Sequence, residues 1–399
     1  MNQDLLKLHR YPFEKLAELK RDLKPPKHLQ HIALSMGEPQ HPAPAFVIDH
    51  LINNLNQLSH YPATRGNDEL RESIATWIAH RFAIDPQHIS HDRHILPVNG
   101  TREALFALAQ CIVDRQSRDP LVMMPNPFYQ IYEGAVILAG ATPHYLNCIE
   151  ANQFLPDLEE VTDDHWERCQ LIYLCSPGNP HGAVMPIEYQ KQLIELAHRH
   201  DFVIASDECY SEIYLDENRP PSGLLEASMA MGNHEFSRCV VFHSLSKRSN
   251  LPGLRSGFVA GDASVLESFL HYRTYHGCAM PPATQAASTA AWSDETHVIE
   301  NRRLYREKFA QVTDLLSDTL APQKPAAGFY LWAQTPVDDI SFTRHLYVEQ
   351  NLSVLPGRYL SRSLSGYNPG ENRIRIALVA PMNECLDAAK RMNQLLSTL

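Results

Sequence analysis

The residues best placed to do chemistry lie in one stretch, Ser244-Leu245-Ser246-Lys247, followed by Arg255 in a loop punctuated by Pro252, Gly253 and Gly257. The stretch follows Val240-Val241-Phe242, an apolar run that reads as a buried strand, so Lys247 falls at a strand's C-terminal end. A lysine used for covalent chemistry needs a partly desolvated site, because desolvation and nearby cations lower its pKa and free the amine. The planar fork of an arginine suits a phosphate dianion, and neighbouring hydroxyls add neutral donors. Lys247 as a Schiff-base amine, with Arg255, Ser244 and Ser246 on a phosphate, together point to pyridoxal phosphate. Taken alone, a solvated turn is the alternative.

Further polar segments follow other apolar runs. Asn99-Gly100-Thr101-Arg102 opens a helix carrying Leu105, Leu108 and Ile112, and a glycine at a helix N-terminus lets backbone N–H groups approach an anion. Arg102 in that first turn opposes the helix dipole unless an anion sits nearby; a cap by Thr101 is the other reading. Asn126-Pro127-Phe128-Tyr129 offers Tyr129 as an aromatic to stack on a pyridine ring or as a core residue. Ser176-Pro177-Gly178-Asn179 is a turn whose Asn179 amide can donate to a phenolate oxygen. Asp207 ends a strongly apolar run, where a carboxylate is costly unless paired. It either keeps a pyridine nitrogen protonated, with Tyr210 on the ring oxygen, or caps a helix. Protonation makes the ring an electron sink.

The elements that must position these residues alternate. Apolar runs at 94–98, 121–124, 171–175, 202–206, 239–243 and 257–260 are separated by amphipathic stretches, including helices expected over 46–58 and 68–82. This order predicts an α/β fold with a mostly parallel sheet flanked by helices, and ligands in such sheets bind beyond the carboxyl ends of the strands. After about residue 290 the pattern changes to a long helix over 296–320, the segment Gly328-Phe329-Tyr330-Leu331-Trp332, a helix near 341–351 and a strand-like stretch over 373–378. We expect an N-terminal arm (1–45), a large domain (46–290) and a smaller α+β domain (291–399).

Composition bounds the function classes. The 399 residues carry 35 basic and 46 acidic side chains, a net charge of -11, which disfavours nucleic-acid or anionic-membrane partners. No run of 18 apolar residues suggests a membrane span. Eight scattered cysteines without a CxxC pair read as reduced core residues of a cytoplasmic protein, and no metal site is expected.

With these residues in hand, the chain resembles the fold-type I pyridoxal-phosphate enzymes, specifically the class I/II aminotransferases, over nearly its whole length. The carrying residues are Tyr61, Gly100-Thr101, Tyr129, Asn179-Pro180, Asp207 to Tyr210, Ser244 to Lys247, Arg255 and Arg375. The resemblance implies a seven-stranded sheet, and catalytic roles for Lys247, Asp207 and Tyr210. It implies cofactor contacts from Gly100, Thr101, Tyr129, Asn179, Ser244 and Arg255; Ser246 and Arg102 join them on their own chemistry, Arg102 not being a general family feature. Substrate contacts fall to Gly37, Asn179 and Arg375, the last gripping the α-carboxylate, with Arg373 the register alternative. Tyr61 resembles a tyrosine that reaches the neighbouring subunit's phosphate, implying a homodimer with shared sites.

Longer segments, such as Pro125 through Gly134, Ser206 through Tyr214 and Arg273-Thr274-Tyr275-His276-Gly277, are similar to bacterial aminotransferases acting on N-succinyl-LL-diaminopimelate, with 2-oxoglutarate as acceptor. Distal substrate carboxylates need cations, for which Arg102, Arg248, Arg273 and Arg358 are candidates. His181 departs from the threonine usual after Asn-Pro in the family. Alternatives are an aminotransferase for aspartate, alanine or an aromatic amino acid, a pyridoxal-phosphate β-lyase, and a non-enzymatic cofactor-binding module.

Overall fold

In the apolar runs, alternate side chains enter opposite cores. Leu121, Met123, Ile204 and Val241 join one buried cluster, while Val122, Met124, Ala205 and Val240 join another. Strands buried on both faces must be covered by helices on both sides, which is why they read as unbroken apolar runs. A computed structural model describes residues 1–399.

The strands, in chain order, are β1 (Ile32–Ala33), β2 (Ile95–Val98), β3 (Leu121–Asn126), β4 (Thr142–Asn147), β5 (Cys169–Cys175) and β6 (Val203–Asp207). They continue as β7 (Cys239–Ser244), β8 (Gly257–Gly261), β9 (Tyr330–Gln334), β10 (Leu352–Ser353), β11 (Leu355–Pro356) and β12 (Arg373–Ala377). The central sheet has seven strands in the order β2-β8-β7-β6-β5-β3-β4. All its neighbours pair in parallel except β8, which is antiparallel to both β7 and β2. Consequently β2, β3, β5, β6 and β7 end at the same edge. Reversed β8 begins at that edge, so Arg255, two residues before it, arrives there as well.

Three expectations are corrected. Edge strand β4 carries no apolar run, since most of its residues are partly exposed, and it was not foreseen. The helix expected over 46–58 stops at Asn53, where the Asn54 side chain donates to the His50 carbonyl and a 3-10 turn follows at Leu55–Ser59. The long helix ends at Leu315, five residues early; Ala321 adopts φ 40° ahead of Pro322, which cannot extend a helix.

Beyond the central sheet, β9 and β11 flank β12 antiparallel, and Arg375 lies opposite Trp332. β1 pairs with β10. No helix is long and apolar enough to cross a membrane.

Lys247 sits on a four-residue helix, Leu245–Arg248, directly after β7. Its neighbour Arg248 anchors that helix. The buried guanidinium donates to the Ala291 carbonyl at 2.7 Å, pairs with Glu295 and lies over the rings of Trp77 and Trp292. Arg248→Ala is expected to cost about 3 kcal/mol or more in chemical denaturation, by opening a cavity and unpairing buried carbonyls. Arg248→Lys restores little of this, because an ammonium cannot reproduce the fork or the stacking.

Candidate active site

At the shared strand edge a cavity of about 680 Å3 opens. Its walls include Lys247, Asp207, Tyr210, Asn179, Arg255 and Arg375, brought together from segments up to 196 residues apart, the Asn179–Arg375 separation.

The Lys247 ammonium donates to the Gly37 carbonyl at 2.5 Å and faces the Phe329 ring at 5.3 Å. Burial, with help from Arg375 and Arg102, pulls its pKa down to about 8. A useful fraction of the amine is therefore neutral near neutral pH. Gly37 is compulsory for a steric reason, since a Cβ there would stand 1.9 Å from the Tyr330 hydroxyl.

Asp207, only 5% exposed, accepts from the Tyr132 hydroxyl at 2.7 Å and from the Cys209 N–H at 3.3 Å. Burial pushes its carboxyl pKa up despite these donors, and no arginine or lysine forms an ion pair with it. Tyr210 shares a 3.0 Å hydrogen bond with Tyr330, and burial raises its phenol well above the ordinary value.

Thr101, Ser244, Ser246 and Arg255 line one part of the cavity. The Thr101–Ile112 helix begins there, and Gly100 before it has φ 92°. A Cβ on Gly100 would lie 2.1 Å from Arg255 Nη2, so only glycine allows the guanidinium to close on the helix N-terminus. Arg255 donates only to the carbonyls of Pro252 (3.0 Å) and Asn99 (3.3 Å), and no carboxylate pairs with it. A cup of helix N–H groups, hydroxyls and a free guanidinium fits a phosphate dianion.

Arg375, 4% exposed, donates to Asn179 Oδ1 at 2.9 Å and to the Ser35 carbonyl at 2.8 Å, and lies over the Tyr330 ring. Its Nε has no partner and no carboxylate neutralises it. Asn179, having spent its oxygen on Arg375, keeps its amide N–H groups for a ligand. Arg373 instead pairs with Glu150 at 2.9 Å outside the cavity, which separates the two register alternatives.

Of the four distal-cation candidates, three are consumed elsewhere. Arg248 is held as described, Arg273 pairs with Glu103, and Arg358 with Asp338 and Asp339. Arg102 alone lines the cavity, its Nε donating to the Tyr129 hydroxyl at 2.7 Å, with no acidic partner. Tyr61 is fully exposed and lies outside the cavity. His181 also lies outside, stacked on Phe154 and accepting the Ala183 N–H.

Residues that sequence reasoning did not place in the site include Tyr11, Cys209, Tyr330 and Glu38 on the cavity wall and Tyr132 behind Asp207. Tyr132 carried one usable signal: a tyrosine in an apolar helix must find a partner for its hydroxyl.

Comparison with known proteins identifies the family of the chain. Residues 30–391 match the family model for class I and II aminotransferases. The LL-diaminopimelate aminotransferase of Desulforudis audaxviator is 31% identical, covering 96% of this chain and 94% of its own. An aminotransferase from Neisseria meningitidis is 45% identical with a TM-score of 0.95, covering 99% of this chain and 100% of the other. A probable N-succinyldiaminopimelate aminotransferase from Thermus thermophilus is 27% identical with a TM-score of 0.83, covering 96% and 100%. The chain belongs to the class I and II aminotransferases.

Proposed function

We propose that the protein is a pyridoxal-phosphate-dependent aminotransferase that takes the amino group from N-succinyl-LL-diaminopimelate and passes it to 2-oxoglutarate. The observation that carries the reading is Arg375, a buried cation without a counterion, in one cavity with the pKa-lowered amine of Lys247. A buried unpaired charge is costly and marks where an anion must bind.

Arg375 grips the substrate α-carboxylate and turns the Cα–H bond toward Lys247. The Lys247 amine takes the Cα proton as general base and later gives it up. Gly100, Thr101, Ser244, Ser246 and Arg255 would hold the cofactor phosphate, Asn179 and Tyr210 its ring oxygen, and Tyr129 would pack on its ring. Asp207 would hold the ring nitrogen in its protonated form. The cofactor, when bound, supplies the electron sink for the pair left at Cα. Arg102 meets the distal carboxylate, which donor and 2-oxoglutarate share, so one cation serves both half-reactions.

A homodimer completes this reading, each protomer presenting its exposed Tyr61 to the other's phosphate site. Exposed Ile48, Ile52, Leu55 and Leu58 on the neighbouring segment support an apolar interface there. A cytoplasmic setting fits eight unpaired cysteines.

One observation favours a second donor, LL-diaminopimelate itself. Glu38 lines the cavity with no cation partner and suits a free distal ammonium, and curated relatives are named for that compound.

Steady-state rates with the two donors decide between them. A higher kcat/KM for the succinylated donor is expected, and preference for LL-diaminopimelate, abolished in Glu38→Gln, establishes the second reading. Arg102→Met should lower kcat/KM for either donor roughly 10- to 100-fold while changing alanine by no more than about threefold. Equal losses for alanine would contradict the distal role.

Asp207→Asn separates stability from function. Because burial raises the carboxyl pKa, the ionised form is penalised in the folded state, and removing the charge relieves that penalty. Thermal unfolding should show the cofactor-free variant more stable than the unaltered protein by roughly 1 kcal/mol. It should also show a smaller gain on adding cofactor, and turnover should fall roughly 100-fold or more.

A further inference from the structure

Away from the cavity, a line of hydrogen bonds runs from a buried cation to the backbone of Lys247. Lys308, on the Thr296–Leu315 helix, is 2% exposed and has no carboxylate partner. Its Nζ lies 2.7 Å from His41 Nε2 and 3.4 Å from the Val379 carbonyl. His41 Nδ1 lies 2.8 Å from Asn301 Oδ1, which also accepts from Asn250 Nδ2 at 3.0 Å. Asn301 Nδ2 donates to the carbonyls of Lys247 (3.2 Å) and Arg248 (3.3 Å).

The chemistry of each group fixes the direction of this line. An ammonium only donates, so His41 Nε2 accepts and its proton sits on Nδ1. That N–H donates to Asn301 Oδ1, and the amide is thereby oriented with both of its hydrogens toward the two carbonyls. A flipped Asn301 would oppose donor to donor at His41 and Asn250, and acceptor to acceptor at the carbonyls.

The two carbonyls need this help. They end the Leu245–Arg248 helix, no backbone N–H reaches either of them, and a helix of one turn has little stability of its own. The same segment that carries His41 also holds the other end of the lysine. Gly37 accepts from Lys247 Nζ, and Ser35 accepts from Arg375 Nη2. Segment 35–41 therefore touches the carboxylate-binding guanidinium, the reactive amine and the side chain that fixes that amine's backbone.

We propose that His41 and Asn301, oriented by Lys308, are positioning residues that hold Lys247 by its peptide carbonyl while Gly37 holds its amine. The inference rests on Lys247 being the reactive group, and labelling it without cofactor tests the clamp independently of turnover. Geometry of the reacting groups, rather than substrate affinity, is what the clamp supplies.

The test uses full-length His41→Phe, Asn301→Ser and His41→Gln. His41→Phe removes both hydrogen bonds, Asn301→Ser withdraws the donor from both carbonyls, and the glutamine variant keeps one acceptor and one donor. In the cofactor-free protein, Lys247 is labelled with acetic anhydride and quantified by mass spectrometry against exposed Lys7. His41→Phe and Asn301→Ser should each raise the relative labelling of Lys247 at least about threefold. In the holoenzyme they should lower kcat about tenfold with the donor KM within about twofold. His41→Gln should return both quantities to within about twofold of the unaltered protein. The proposal is overturned by a folded His41→Phe or Asn301→Ser with unchanged labelling and kcat, or by a glutamine variant as impaired as the phenylalanine one. If one of the first two variants does not fold, the other decides. Full loss of turnover in Lys247→Ala with unchanged labelling in the clamp variants would retain the active-site reading and discard the clamp.

Discussion

Four cations meet at the carboxyl edge of the sheet, Lys247, Arg375, Arg255 and Arg102, and none has an acidic group paired with it. Lys247 leans on the Gly37 carbonyl, Arg375 on Asn179 and Ser35, and Arg255 on the carbonyls of Pro252 and Asn99. Carbonyl dipoles orient these groups without neutralising them. Burial, helped by the like charges of Arg375 and Arg102, lowers the Lys247 pKa, which is what a nucleophilic amine requires. Asp207 is the mirror image, a buried carboxylate whose nearest donors are a phenol and a backbone N–H. A phosphate beside Arg255, a carboxylate beside Arg375 and a protonated ring nitrogen beside Asp207 would satisfy these three groups together.

The sheet makes the convergence possible. Parallel strands β2, β5, β6 and β7 deliver Thr101, Asn179, Asp207 and Lys247 to one edge, because each parallel strand ends where its neighbours end. Reversal of β8 adds Arg255, and the separate β12 brings Arg375 across the top. Around Lys247 the one-turn helix is stabilised from outside. The stacked Arg248 guanidinium anchors one side, and Asn301 satisfies the open carbonyls.

Much of this was legible in the sequence, for reasons that the structure makes plain. Strands buried on both faces must be apolar throughout, so their ends, and the polar residues just past them, stand out. Asp207 was visible because a carboxylate closing so apolar a run needs a partner. Direction leaves no such mark, and nothing in residues 257–260 distinguishes antiparallel β8 from a parallel strand. The idle arginines were equally opaque. Arg273 finds Glu103 and Arg248 finds Glu295, partners 170 and 47 residues away, so only the folded chain shows that Arg102 is the one left facing the cavity. Tyr132 and Tyr330 are buried aromatics whose hydroxyls reach the site only through tertiary packing.

The most direct test is a single half-reaction followed by visible absorbance. The purified protein, loaded with pyridoxal phosphate, is mixed with N-succinyl-LL-diaminopimelate in the absence of any acceptor, beside Lys247→Ala treated identically. The account predicts loss of the visible band of the lysine-bound cofactor and growth of the shorter-wavelength band of its aminated form. It predicts neither in the variant. A protein that forms no visible band with the cofactor, or a Lys247→Ala variant that completes the conversion at the unaltered rate, would contradict it.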